Sequence, residues 1–378
     1  MHRSLASVAP SFASLAAAAL FAACGAQEPA SSAASQPAAA PSAPAPAPAP
    51  EPAAPSPAEA LAKRANAVFG VLPAVAESAN NVDSDARVEL GRALYYDKRL
   101  SKNHDVACNS CHQLDRFGVD GEPTSPGHQG QRGDRNSPTS LNAALHIAQF
   151  WDGRAADVEA QAKGPVLNPV EMAMPSAEAV ESTLRSIPGY APMFEAAFPE
   201  EDQPVTFDNM ALAIAAFERR LVTPGAFDAF LRGDAGALDA QQQRGLATFM
   251  DTGCITCHNG PTIGGKSFQK LGLVHPYETA DLGREKLTGN ASDRHVFKVP
   301  GLRNIAETGP YFHDGSIATL DEAIRLMAHH QLGKELDDAQ VADIAAFLRA
   351  LTGDVDADLV AMPELPESGP STPAPDPS

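Results

Sequence analysis

The sequence predicts a mostly α-helical protein with long loops, built from two related domains behind an extended linker. Three observations predict it. Apolar residues recur at helical spacing through most of the chain, and strand-type alternation is scarce. Cys108-Asn109-Ser110-Cys111-His112 returns as Cys254-Ile255-Thr256-Cys257-His258, 146 residues later (254 minus 108), about the size of one domain. Residues 25–58 are almost wholly Ala, Pro and Ser, a composition that buries no core and behaves as an extended, disordered spacer.

The chain opens with Arg3 and an apolar run through Leu15 and Phe21, which reads as a secretory signal over residues 1–23. The run is too short for a permanent membrane span. It ends Phe21-Ala22-Ala23-Cys24-Gly25, similar to a bacterial lipobox, so Cys24 is the expected lipidation site. Phe21 departs from the usual aliphatic residue there, and ordinary cleavage to a soluble periplasmic protein is the alternative. Residues 24–58 form the linker, which would hold the folded body off a membrane.

Order is expected from near Pro57. Glu59 to Val68 has a short helical pattern, and Asp83 to Tyr96 a stronger one, with Val88, Leu90, Leu94 and Tyr95 apolar. This second helix leads to the first cysteine motif. Asp239 and Gln242 form the capping signature of a comparable helix before the second motif. Leu90-Gly91-Arg92 is echoed by Arg244-Gly245-Leu246. Between the two lies a loop from 113 to 140, rich in Gly and Pro and carrying His128. Loops of this length inside a compact domain are usually functional or disordered. Residues 141–220 return to helix, with a clear amphipathic pattern from Asp208 to Leu221. Leu320 to Met327 is helical. Val341, Ile344, Ala345, Leu348 and Leu351 form an apolar stripe expected to end at a C-cap on Thr352-Gly353. The tail from Pro363 is Pro- and Ser-rich and is expected to be disordered.

C-x-x-C-H is the attachment signature of a c-type haem. Each thiol adds to one vinyl group, and the adjacent histidine is placed to ligate the iron. A single C-x-x-C is also compatible with a redox dithiol or half a zinc site. Two copies, each ending in His, on a chain with an export signal point to two haems c. Four of the five cysteines are thereby used, and the fifth is Cys24. The net charge of -19 argues against nucleic acid and anionic lipid as partners; it suits a basic or weakly charged protein, and solubility alone is the alternative reason for it. What fills the second axial position decides the function, because a closed iron passes electrons and an open one binds small molecules. His128 and Met327 are candidates, but a loop histidine and a core methionine are ordinary fates for both. Electron transfer and peroxide chemistry both stay open at this point.

Several blocks are more specific. Gly127-His128-Gln-Gly-Gln-Arg-Gly133, Arg135-Asn-Ser-Pro-Thr-Ser-Leu-Asn142, Phe150-Trp-Asp-Gly-Arg154, Gln161-Ala-Lys-Gly-Pro165, Val170-Glu-Met172 and Pro310-Tyr-Phe-His-Asp-Gly315 occur in this order. Together they resemble the bacterial di-haem cytochrome c peroxidases over roughly residues 65–353. The resemblance implies two cytochrome-c-like domains, a peroxidatic one over 59–220 and an electron-transfer one over 221–353, followed by the tail 354–378. The N-terminal haem would sit on Cys108, Cys111 and His112, with His128 as its sixth ligand at rest. The C-terminal haem would sit on Cys254, Cys257 and His258, with Met327 opposite.

The resemblance also implies roles for other side chains. Trp151, the chain's only tryptophan, would lie on the electron path between the haems. Glu171 would be the acid-base group over the peroxidatic iron, with Gln161 beside it. One calcium ion would bind Asn136 through its side chain and Thr308 and Pro310 through their carbonyls. Hydrogen peroxide is the implied substrate. A small cytochrome c or cupredoxin is the implied electron donor, and a homodimer is compatible with the family. Relatives that oxidise a partner protein carry tyrosine where Met327 stands, so a di-haem oxidase is the alternative enzyme. A non-enzymatic di-haem electron carrier is the alternative outside catalysis.

Overall fold

The computed structural model describes residues 55–378. The calls on the signal peptide, Cys24 and most of the linker fall outside the described residues. Helix α1 spans Pro57–Val68, α2 Asp85–Tyr96, α3 Cys108–Cys111, α4 Val158–Leu167, α5 Ala177–Ser186, α6 Tyr190–Ala197 and α7 Phe207–Arg220. Helix α8 spans Ala226–Leu231, α9 Ala240–Thr252, α10 Glu285–Thr288, α11 Leu320–Leu332, α12 Asp338–Arg349 and α13 Ala357–Val360. Strands β1 (Phe268–Lys270) and β2 (Val296–Lys298) pair antiparallel, with Phe268 opposite Lys298. The mostly helical expectation holds.

Two hydrophobic cores organise these helices. The first gathers α2 and α4 through α7, around Leu90, Leu94, Tyr190, Phe194 and Phe217. The second gathers α1, α8, α9 and α12, around Phe69, Phe227, Phe249 and Phe347. Helix α1 is a correction to the expected division at residue 220. It precedes the first motif but packs with the second core, because Ala62, Ala65 and Phe69 meet Phe227, whose ring stands 5.6 Å from that of Phe69.

The echo around Gly91 and Gly245 acquires a physical meaning. A Cβ on Gly91 would lie 1.8 Å from the carbonyl oxygen of Ala213 in α7. A Cβ on Gly245 would lie 1.8 Å from the carbonyl oxygen of Asp343 in α12. In each core the helix that leads into the cysteine motif therefore crosses a later helix at backbone contact. Glycine costs about 1 kcal/mol in a helix interior, and close packing is the return for it here. Helix α9 begins with the expected capping box, Asp239 with Gln242.

Two further expectations change. Helix α12 ends at Arg349 rather than at Thr352-Gly353. Gly353 instead bridges to Gly225, where a Cβ would meet the Thr223 carbonyl at 2.1 Å. The segment 354–378 is not disordered. Val355, Leu359, Val360 and Leu365 pack on the first core, and the Tyr96 hydroxyl donates to the Val360 carbonyl. Val360 is the last residue of α13, so its carbonyl has no intrahelical partner and is free to accept from a side chain.

Helix α7 is buried nearly all round rather than on one face. Two charged residues near its end are therefore enclosed. Arg219 donates to Glu159 at 2.6 and 2.8 Å. Burial, reinforced by the Glu159 carboxylate, pushes Glu218 up to about 8, against a weaker pull from Arg219. The folded state then holds a proton that the unfolded chain releases above about pH 4.3. Stability from this group is full below the unfolded value and falls as pH rises toward 8, by roughly 1 kcal/mol per pH unit. Glu218→Gln should flatten the urea-denaturation profile between pH 5 and 8 and be the more stable protein at pH 8. Parallel slopes for the two proteins would show that Glu218 is ionised in the fold.

Candidate haem sites

Each cysteine motif is a short turn fixed from outside. Helix α3 buries none of its own residues. It is held by Tyr95 of α2, whose hydroxyl donates to the His112 carbonyl at 3.0 Å and lies 3.0 Å from Ser140 Oγ. The second motif follows the αL residue Gly253, which ends α9 at φ 104°. That left-handed residue turns the chain sharply enough for Cys254, Cys257 and His258 to face one cavity.

All four thiols are free rather than paired in disulfides. Burial pushes Cys108 up to about 12 and Cys254 to about 11. Burial, with the Asp120 and Glu171 carboxylates adding to it, pushes Cys111 to about 11. Burial also depresses both motif histidines, His258 to about 4, so each imidazole is neutral and able to ligate. His258 Nδ1 lies 3.2 Å from the Ile263 carbonyl, which fixes the tautomer and leaves Nε2 free for a metal. The residues present fit a haem c at both positions.

The second site is an apolar cavity. Cys254, Cys257 and His258 line it with Phe249, Ile324 and Leu348, and Met327 of α11 faces the same space. His258 and Met327 are thus brought together as sequence reasoning placed them. Trp151, Asn136, Thr308 and Pro310 line this cavity too. Trp151 is held at both ends. Its Nε1 donates to the Asn136 carbonyl at 2.9 Å, and its own carbonyl accepts from Lys298 N–H at 2.7 Å. Asn136 Nδ2 donates to the Glu122 and Pro123 carbonyls, which leaves Oδ1 as the free ligating atom.

The first site gathers His128 and Glu171. The His128 N–H donates to the Glu171 carbonyl at 2.7 Å. Gly127 is needed there, because a Cβ would lie 2.1 Å from the Val170 carbonyl and 2.7 Å from Glu171 Cα. His128 is buried, and its Nδ1 has no hydrogen-bond partner among the described residues. Burial raises the Glu171 carboxyl, opposed by the Arg154 guanidinium and a hydrogen bond with Asn168. Arg154 itself stands 3.4 Å over the Phe150 ring. Gln161 lies on α4 with no side-chain hydrogen bond to Glu171.

Sequence reasoning missed other members of the region. His313, quoted only as part of a block, is buried with its ring 4.5 Å from Phe297 and its Nε2 3.0 Å from Thr279 Oγ1. Arg135 bridges Asp152 at 2.7 Å and Asp281 at 2.7 and 3.0 Å. Lys298 is buried with no carboxylate partner among the described residues, and its Nζ lies 3.3 Å from His146 Nδ1. The blocks around Arg135 and His313 offered the sequence signal; Lys298 had none.

Comparison with known proteins agrees with this geometry. Residues 85–236 match the family model described as di-haem cytochrome c peroxidase, and residues 242–352 match that of cytochrome c. The chain is 47% identical to the cytochrome c551 peroxidase of Pseudomonas aeruginosa over 325 residues, covering 84% of this chain and 93% of that one. It is 46% identical to the cytochrome c551 peroxidase of Nitrosomonas europaea, covering 80% and 89%. A methylamine utilization protein MauG of Methylorubrum extorquens is 36% identical over 74% of this chain and 81% of that one. Among solved structures, a MauG-like protein associated with microbial copper homeostasis superposes with a TM-score of 0.67 at 30% identity, over 77% of this chain and 95% of that one. The chain belongs to the bacterial di-haem cytochrome c peroxidase family, enzymes that carry two haems c and act on peroxide.

Proposed function

We propose that this enzyme reduces hydrogen peroxide to two waters in the periplasm, drawing electrons from a small cytochrome c or cupredoxin. When bound, the haem on Cys254, Cys257, His258 and Met327 supplies the electron-entry chemistry, and the haem on Cys108, Cys111 and His112 supplies the peroxidatic chemistry. The observation that carries this reading is the union of His128 and Glu171 through one 2.7 Å backbone bond beside the first motif.

The residues have distinct tasks. Glu171, raised by burial, can take a proton from one peroxide oxygen and return it to the other, and the Gln161 amide, not bonded to Glu171, would be available to hydrogen-bond the peroxide. Arg154 keeps the carboxyl from becoming too weak an acid. His128 would ligate the first haem at rest, and movement of its glycine-flanked loop would open the site. Trp151, held through its ring Nε1 and through its main-chain carbonyl, would keep its ring on the path between the two sites, where a fixed distance favours electron transfer. The thioether of Met327 favours the reduced iron and so suits an electron store. This favours the peroxidase over the partner-oxidising reading, in which tyrosine takes that place. Asn136 Oδ1 and the Thr308 and Pro310 carbonyls would hold one calcium ion, as neutral oxygens suit a hard cation. Cys24 would carry the lipid anchor.

Stopped-flow mixing of the purified enzyme with peroxide tests the first site. The wild type should consume peroxide quickly only after one haem is reduced, and His128→Ala should do so when fully oxidised. Glu171→Gln should lose about 10²–10⁴-fold in rate in every state. An unchanged rate in Glu171→Gln would remove the carboxyl from the proton path. Calcium is tested separately. Chelation with EGTA should slow turnover, added Ca²⁺ should restore it, and Asn136→Ala should abolish that restoration. Full activity after chelation would exclude a functional ion there.

A further inference from the structure

The proline-rich C-terminal segment ends on the loop that carries His128. It first lies flat against the first core. Pro366 abuts Gly189, and Gly369 sits so close to the Ser186 carbonyl that a Cβ would fall 2.3 Å from it. It then reaches Lys102. The Asp376 N–H donates to the Lys102 carbonyl at 3.0 Å, while the Lys102 N–H donates to the Met172 carbonyl at 2.8 Å. The tail is thereby tied to the residue after Glu171. Lys102 Nζ donates to the Ser378 main-chain oxygen at 2.6 Å and lies 3.6 Å from the Asp376 carboxylate. Gln129 Nε2 donates to the Pro377 carbonyl at 2.8 Å. His128 Nε2 lies 3.1 Å from the Ser378 main-chain oxygen.

We propose that residues 363–378 form a strap that holds the His128 loop through Lys102 and Gln129 and engages the His128 Nε2 atom, so that strap and iron compete for this histidine. Competition follows from valence. Nε2 donates its proton to the Ser378 oxygen or gives its lone pair to a metal, and one atom does not do both. The other ring nitrogen is enclosed and has no hydrogen-bond partner among the described residues, so Nε2 is the atom through which the strap holds the ring. Bound to the strap, His128 leaves the first site open. Released, it is free to close it. The strap thus sets how much of the oxidised enzyme rests in the closed form. This rests on the reading of His128 as the resting ligand.

The test uses the haem-loaded full chain, a variant ending at Met362, Lys102→Met with the tail intact, and His128→Ala. Hydrogen exchange at the amides of residues 127–131 reads the loop itself, and low-temperature EPR of the oxidised protein reads the share of bis-histidine low-spin iron. Truncation and Lys102→Met should both speed exchange in the loop several-fold and raise the bis-histidine share at least twofold. Unchanged exchange and an unchanged share in both variants would overturn the strap. His128→Ala separates the two ideas. If it leaves the bis-histidine signal intact in the full chain, the ligand assignment fails and the competition with it. If it abolishes the signal while truncation changes nothing, the ligand assignment stands and the strap alone falls.

Discussion

A Cys-x-x-Cys-His turn cannot hold itself in place. It is one turn long, makes almost no core and must present two thiols and an imidazole to the same macrocycle. Everything that fixes it comes from the helix before it and from what that helix crosses. Gly91 and Gly245 let those helices touch α7 and α12 at backbone distance. The haem-binding turns therefore inherit the rigidity of two helix pairs in backbone contact, α2 with α7 and α9 with α12. Tyr95 transmits that rigidity to His112 through one hydroxyl. The left-handed Gly253 does the same for the second motif by geometry alone.

Charge is placed with similar economy around the cavity. Arg135 joins Asp152, beside Trp151, to Asp281 on a loop of the second half. Trp151 itself is bonded to Asn136 on one side and Lys298 on the other. These bonds fix the position of Trp151 in the wall of the second cavity. Arg303 and Asp228 form a fully enclosed pair, with bonds of 2.6 and 3.0 Å, that joins α8 to the segment leading out of the second cavity. Such a pair contributes orientation more than net stability, because both charges leave water to form it.

Much of this was legible before any coordinates. The cysteine motifs, the helices with capping signals, and the apolar stripe of α12 all have local causes, and local causes are written in adjacent residues. Met327 and His258 meeting in one cavity, and His128 meeting Glu171, came from long sequence blocks rather than from periodicity. What stayed hidden depends on distant partners. Helix α1 joins the second core because Phe69 fits against Phe227, 158 positions away (227 minus 69), and nothing near Phe69 says so. Lys298 reads as an ordinary strand lysine until its burial is seen. The tail misled because proline-rich composition signals the lack of an internal fold, which is true, and not the lack of an external surface to lie on.

Trp151 has one more consequence. It is the only tryptophan in the chain, and it lines the cavity of the second haem. A porphyrin absorbs where indole emits, and a porphyrin in that cavity would drain its excited state. Indole emission is therefore a property of molecules that lack haem. Cofactor loading can be watched in the unmodified protein by its own light.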